Sequence, residues 1–191
     1  MAFIPHPRFN TLKSTLNKLC NERRLSRWHG VLYRFSSPDW ASPKDLINGG
    51  GGYKYASRWL LPYVANAVFA STEASTALEE SLAGTRRLGF PDWKAMPKLV
   101  VAIRVKLTSV LDLTQGRIRQ RLRLSEGTIQ DTDWDGISKH GGEAITQALG
   151  RAAFECGLEG ILTPSAAWPG GVNLVVFPDN LETKSYLAPL R

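Results

Sequence analysis

Three polar residues sit where the chain otherwise builds a core: Arg58 in GGGGYKYASRW, Glu80 in VFASTEASTALEE and Ser165 in GILTPSAAWPGGVNLVVF. A solvated charge usually keeps polar company. Residues of these types inside apolar or glycine-rich runs are expected to point into a shared cleft rather than at water. Ser165 lacks the partners of an activated nucleophile, because the only histidines are His6, His29 and His140 and no His-Asp pair is in view. It is expected to hydrogen-bond rather than attack.

The elements that must position these residues follow from pattern and punctuation. After Gly30, residues 31–35 (VLYRF) have the aromatic and β-branched content of a strand. Residues 36–48, with Pro38 and Pro43, read as a loop, and the glycines at 49–52 extend the break and allow close approach of a ligand to the backbone. A short strand is expected at 67–70. Ser71 or Thr72 then caps a helix that runs to about Ala83, with Ala74, Ala77, Leu78 and Leu82 as its apolar stripe and Gly84 as its end. On that phase Glu73 and Glu79 face solvent and Glu80 lies near the stripe; a phase one position different would put Glu79 in its place. A β-rich run at 98–107, which 110–114 extends or follows, a helix at about 142–156 ending at Gly157, and strands at 160–162 and 172–177 complete the pattern. The fold class is α+β.

Composition bounds the rest. A chain of 191 residues, 43% hydrophobic and 21% charged, is long enough for one domain with a substantial core. The apolar stretch from Trp59 to Ala70 is broken by Pro62 and Asn66, so no membrane-spanning helix is expected. The start, MAFIPHPRF, lacks the pattern of a secretion signal, and a cytoplasmic location is expected. Cys20 and Cys156 stand alone in sequence, which indicates neither a zinc site nor a disulfide framework. Much of the net charge of +7 is local. Residues 1–30 carry six Lys and Arg against Glu22, and Phe9, Leu12, Leu16, Leu19 and Cys20 recur there at helical spacing after Asn10 or Thr11 as cap. This reads as a basic amphipathic helix, either a docking element or a helix packed on its own domain. Arg117, Arg119, Arg121 and Arg123 form a second cluster without interleaved aromatics, so direct nucleic-acid binding is not expected.

The order LYRF, a glycine-rich approach to Arg-Trp, an aromatic before Ala-Ser, ALEE, GILTPSA and GGVNLVVFP resembles the RES domain family, named for its arginine, glutamate and serine. The match spans about residues 31–180, with eleven residues from Arg58 to Phe69 and eleven more to Glu80. On this reading residues 1–30 are a helical extension and 31–191 the RES domain. The resemblance implies an ADP-ribosyltransferase-like mixed fold with short, mainly antiparallel strands and flanking helices. It also implies action on NAD as substrate, with no cofactor and no metal, and a role as the toxin partnered by a helical, DNA-binding antitoxin of Xre type.

Cleavage of the nicotinamide–ribose bond develops positive charge on the sugar. A carboxylate beneath it stabilises that charge or orients the ribose hydroxyls, which makes Glu80 the candidate. Arg58 and Arg34 have the planar donor fork that suits a pyrophosphate, and Ser165 a hydroxyl for ribose or nicotinamide. Phe69 stands where the family usually has tyrosine and presents an aromatic face, with Tyr33, Tyr53 or Tyr55 as other sources of a hydroxyl. The bland alternatives stay open at this point: Arg34 snorkelling from a strand edge, Arg58 paired with Glu79 or Glu80, Glu80 solvated, and Ser165 capping the turn before Pro169. The acceptor is water or phosphate; transfer to a protein, or binding without turnover, are the competing readings.

Overall fold

A computed structural model of the chain describes residues 3–190. The elements in order are α1 (Phe9–Asn21), β1 (Ser26–Ser36), α2 (Pro43–Ile47), α3 (Gly50–Lys54), β2 (Val68–Ser71), α4 (Ala74–Arg87), β3 (Leu99–Asp112), α5 (Gly116–Leu122), α6 (Glu126–Asp131), α7 (Trp134–Lys139), α8 (Ile145–Glu155), β4 (Gly160–Pro164), β5 (Val172–Val176) and β6 (Tyr186–Pro189). This is an α+β fold. The strands run in the order β1-β2-β5-β4-β3-β6, and a further pairing of β1 with β3 closes five of them into a ring. Every pairing is antiparallel except that of β3 with β4.

Burial explains the strand sequences. Along β3, Ile103, Val105 and Leu107 are buried while Arg104 and Lys106 face solvent, the alternation of a sheet wetted on one side. In β5, Leu174 and Val176 join the core inside the sheet while Val175 joins the core on its other face, so residues 174–176 are apolar in succession. The ring is weakest between β1 and β2, which share the single pair Tyr33↔Ser71.

α1 is built into the larger core. Leu12, Leu16 and Leu19 are buried with Ala148, Leu149, Ala152 and Ala153 of α8, where the alanines let the two helices approach closely. Each buried leucine contributes roughly 1.5–3 kcal/mol. The segment before it is tied down as well: the amide of Ile4 donates to the carbonyl of Gly141 and that of Glu143 to Ile4, and the Arg8 guanidinium donates to the carbonyl of Leu122 at 2.6 Å. Arg8 stands at the N-cap, so the helix begins two to three residues earlier than a cap at Asn10 or Thr11 would place it. The second basic cluster lies on α5 and just past it. Two of its arginines are engaged within the fold, Arg121 with Glu22 and Arg119 with Glu126 and the carbonyls of Leu113 and Thr114.

Several boundaries differ from the sequence expectations, each for a tertiary reason. The glycines at 49–52 lead into a short helix, α3, because Gly49 and Gly52 lie against the chain at Ala67: a Cβ on either would meet backbone atoms of Ala67 at 2.6 and 2.5 Å. Ser71 belongs to β2 and caps nothing, and α4 starts at Ala74 after Glu73. α4 also runs through Gly84 to Arg87, β1 reaches back to Ser26, and β3 continues to Asp112.

Glu159, fully buried before β4, staples three segments. Its carboxylate accepts from the amides of Thr108, Ser109 and Glu182. Burial pushes its pKa up, but the hydrogen bonds that it accepts outweigh that and hold it below the ordinary 4.5. A depressed carboxyl stabilises the fold fully above its unfolded value and loses that contribution as pH falls through the folded value. Glu159→Gln is therefore expected to cost about 1–3 kcal/mol at pH 7, with the gap to wild type narrowing below pH ~4. Urea unfolding at the two pH values measures it; an unchanged gap would refute the assignment.

Candidate active site

α4 carries Ala77, Glu80, Ser81, Gly84 and Arg87 on one stripe, three or four residues apart, and this stripe forms a wall of a cleft of about 490 Å³. Tyr33 and Arg34 of β1, Phe69, Ala70 and Ser71 of β2, Ser57 and Arg58, Trp134, Asn173 and the turn after β4 supply the other walls. The cleft thus opens beside the single pair that joins β1 to β2. Its volume is that of a small-molecule site.

Glu80 points inward and Glu79 outward. Glu79 is paired with Arg86, which also holds Asp92, whereas Oε1 of Glu80 accepts from the Ser165 hydroxyl at 2.6 Å and from Nδ2 of Asn173 at 2.6 Å. Ser165 is 2% exposed. Its Oγ donates to Glu80 and accepts from the amides of Ala167 and Trp168 at 3.1 and 3.0 Å, while its carbonyl accepts from Gln130 at 2.9 Å. The hydroxyl proton is thereby committed to the carboxylate, and among the described residues no histidine lines the cleft. Ser165 closes the turn before Pro169 and orients Glu80 with the same oxygen.

Arg58 lies on a turn clamped to α8. The Ser57 hydroxyl accepts from the amides of Trp59 and Leu60, the Ser57 carbonyl accepts from Gln147 of α8, and a Cβ on Gly150 would sit 1.8 Å from the Trp59 carbonyl oxygen. Only glycine allows this approach. From the clamped turn, Nη1 of Arg58 donates to the carbonyls of Ile129 and Thr132 at the end of α6, at 3.0 and 3.1 Å. Arg34 makes a single long bond, from Nη1 to the carbonyl of Leu46 at 3.3 Å. Among the described residues neither arginine has a carboxylate within ion-pair distance. Burial lowers the pKa of both; for Arg58 the charge of Glu80 works against that and Arg87 reinforces it. Half-buried guanidinium groups not paired with a carboxylate make a site for an anionic ligand.

Aromatic faces complete the cleft. Phe69 lies against Gly52, where a Cβ would come within 3.0 Å of its ring, and at the rim the Arg87 guanidinium stacks 5.0 Å above the Trp134 ring. The sequence-derived set of Tyr33, Arg34, Arg58, Phe69, Glu80 and Ser165 is therefore brought together; Ser165 stands behind Glu80 rather than in the lining itself. Tyr53 and Tyr55 are exposed and outside the cleft. Sequence reasoning did not single out Asn173, Ser71, Arg87 or Trp134. Asn173 had a visible signal, as the lone polar residue in an otherwise apolar strand.

The comparisons agree with this geometry. Proteins named NAD(+) phosphorylase MbcT, from Mycobacterium bovis and Mycobacterium tuberculosis, are 25% identical over 169 residues, covering 87% of this chain and 82% of theirs. The crystal structure of the M. tuberculosis MbcT-MbcA toxin-antitoxin complex contains a chain of the same fold, with a TM-score of 0.72 at 23% identity over 94% of this chain and 91% of that one. The RES domain model matches residues 31–188, a span that includes every residue of the cleft named above. The chain belongs to the RES domain family.

Proposed function

We propose that the chain is the NAD-consuming toxin of a toxin–antitoxin pair and breaks the nicotinamide–ribose bond with phosphate as the acceptor. The observation that carries this reading is a carboxylate, Glu80, held by neutral donors opposite two half-buried arginines that, among the described residues, have no carboxylate within ion-pair distance. The name of the MbcT relatives favours phosphate over water. As nicotinamide leaves with the bonding electrons, an oxygen of phosphate forms the new bond to the ribose carbon, giving nicotinamide and ADP-ribose 1-phosphate. Glu80 offsets the positive charge that develops on the sugar, through the oxygen that Ser165 and Asn173 leave free. Arg34 and Arg58 bind the pyrophosphate, while Phe69 and Tyr33 present flat surfaces to the base.

An antitoxin partner follows from the same reading, since the solved relative is a complex with one. A helical, DNA-binding protein of Xre type is the form proposed, and the site of action is the cytoplasm, where NAD is available. No helix among the described residues is long and apolar enough to cross a membrane.

Purified protein incubated with NAD is expected to release nicotinamide faster with phosphate than without, and to yield the 1-phosphate. Glu80→Gln should lower kcat by about 10²–10³-fold. Tight binding of NAD with no product in wild type would overturn the enzymatic reading in favour of a binding module. Arg34 has little structural duty, so Arg34→Ala is expected to weaken binding of ADP-ribose by ~10–100-fold, the equivalent of a lost charge-assisted bond, at an unchanged melting temperature. Calorimetric titration measures this; unchanged affinity would remove Arg34 from the anion site.

A further inference from the structure

Glu80 is held by two donors on one oxygen, and the second of them is itself held. Asn173 sits on β5 directly across from Ser71 on β2. The Ser71 hydroxyl donates to Oδ1 of Asn173 at 2.6 Å, and Nδ2 of Asn173 donates to Oε1 of Glu80 at 2.6 Å. Ser71 is 2% exposed, so its donor has no water to turn to. An asparagine amide has a donor end and an acceptor end that differ little in shape, and its neighbours decide which way it faces. Here a hydroxyl can donate to Oδ1, whereas the carboxylate can only accept. The two neighbours therefore select one orientation, with the NH₂ group against Glu80.

From this we infer that Asn173 is a positioning residue for the proposed NAD cleavage, and that Ser71 acts behind it by fixing the direction of its amide; the inference rests on the functional reading given above. The arrangement has two effects on Glu80. Both protein donors lie on Oε1, at matching distances, and among the described residues no protein donor lies on Oε2. One oxygen is thus tethered to the sheet and the turn, and the other is left to the substrate. Because Ser165 and Asn173 are neutral donors, they hold the carboxylate in place without cancelling its charge, as a lysine or arginine in either place would. The relay joins β2, β5 and α4, so the orientation of Glu80 depends on the β2–β5 register.

The test is Asn173→Asp, which keeps the shape and exchanges the donor for an acceptor. Two carboxylates at that separation share a proton, so the acid limb of the pH profile of kcat/KM is expected to move up by about one unit or more. Loss of one preorganised donor lowers kcat by about 10²-fold, with KM for NAD changed less than about threefold, since the anion site is untouched. Ser71→Ala is expected to lower kcat about tenfold, and the double variant to be no slower than Asn173→Asp alone, because the two act in series. If wild type is active and Asn173→Asp keeps its kcat and acid limb, or if the two losses multiply, the inference is overturned and Asn173 is only a strand tether. A wild type that releases no nicotinamide in the same assay overturns the functional reading, and this inference with it.

Discussion

A carboxylate and two guanidinium groups face one small cleft without neutralising one another, and much of the surrounding structure serves that separation. Opposite charges in a half-buried site would ordinarily pair, and the pair would fill the space that a ligand needs. Glu80 is kept off Arg58 by the Ser165 hydroxyl and the Asn173 amide, and Arg58 by the carbonyls of Ile129 and Thr132. Neutral dipoles therefore hold each charged group on its own wall. The desolvation cost is real, as the lowered pKa of both arginines indicates, and an anionic ligand would offset it.

Holding these groups apart requires firm anchors on both sides. For Arg58 the anchor is α8, through Gln147 on the Ser57 carbonyl and Gly150 beneath Trp59. For Glu80 it is the register of β2 with β5, which sets Ser71 opposite Asn173. α8 in turn rests on α1, so a helix remote from the cleft supports the turn that presents an arginine to it. The family match begins at residue 31, while the leucines of α1 lie in the same core as residues well inside that match.

The charged members of the site were legible in the sequence because a charge among apolar neighbours is a strong departure from the usual pattern, and Arg58 and Glu80 are such departures. The choice between Glu79 and Glu80 needed only the helix phase, which Ala77 and Leu82 fix. Asn173 was visible as the lone polar residue of its strand, but only the cross-strand partner reveals what it does. Ser71 was misread as a cap for a related reason. Local chemistry suits it to a helix start, but the sheet claims its backbone and Asn173 its hydroxyl. The glycines at 49–52 look like a flexible break until Ala67 is seen packed against two of them. In each case the missing information was a contact distant in sequence.

The packing of α1 on α8 also sets an order on synthesis. α1 is made well before α8, and the alanine and leucine face that buries its leucines lies more than a hundred residues later, at 148–153. At translation speeds of about 5–20 residues per second, Leu12, Leu16 and Leu19 wait for several seconds before their α8 partners are made. The turn that carries Arg58 waits for the same helix, and Glu80 for Ser165 and Asn173, which are made later still. A chain interrupted before Ser165 and Asn173 therefore has no assembled cleft.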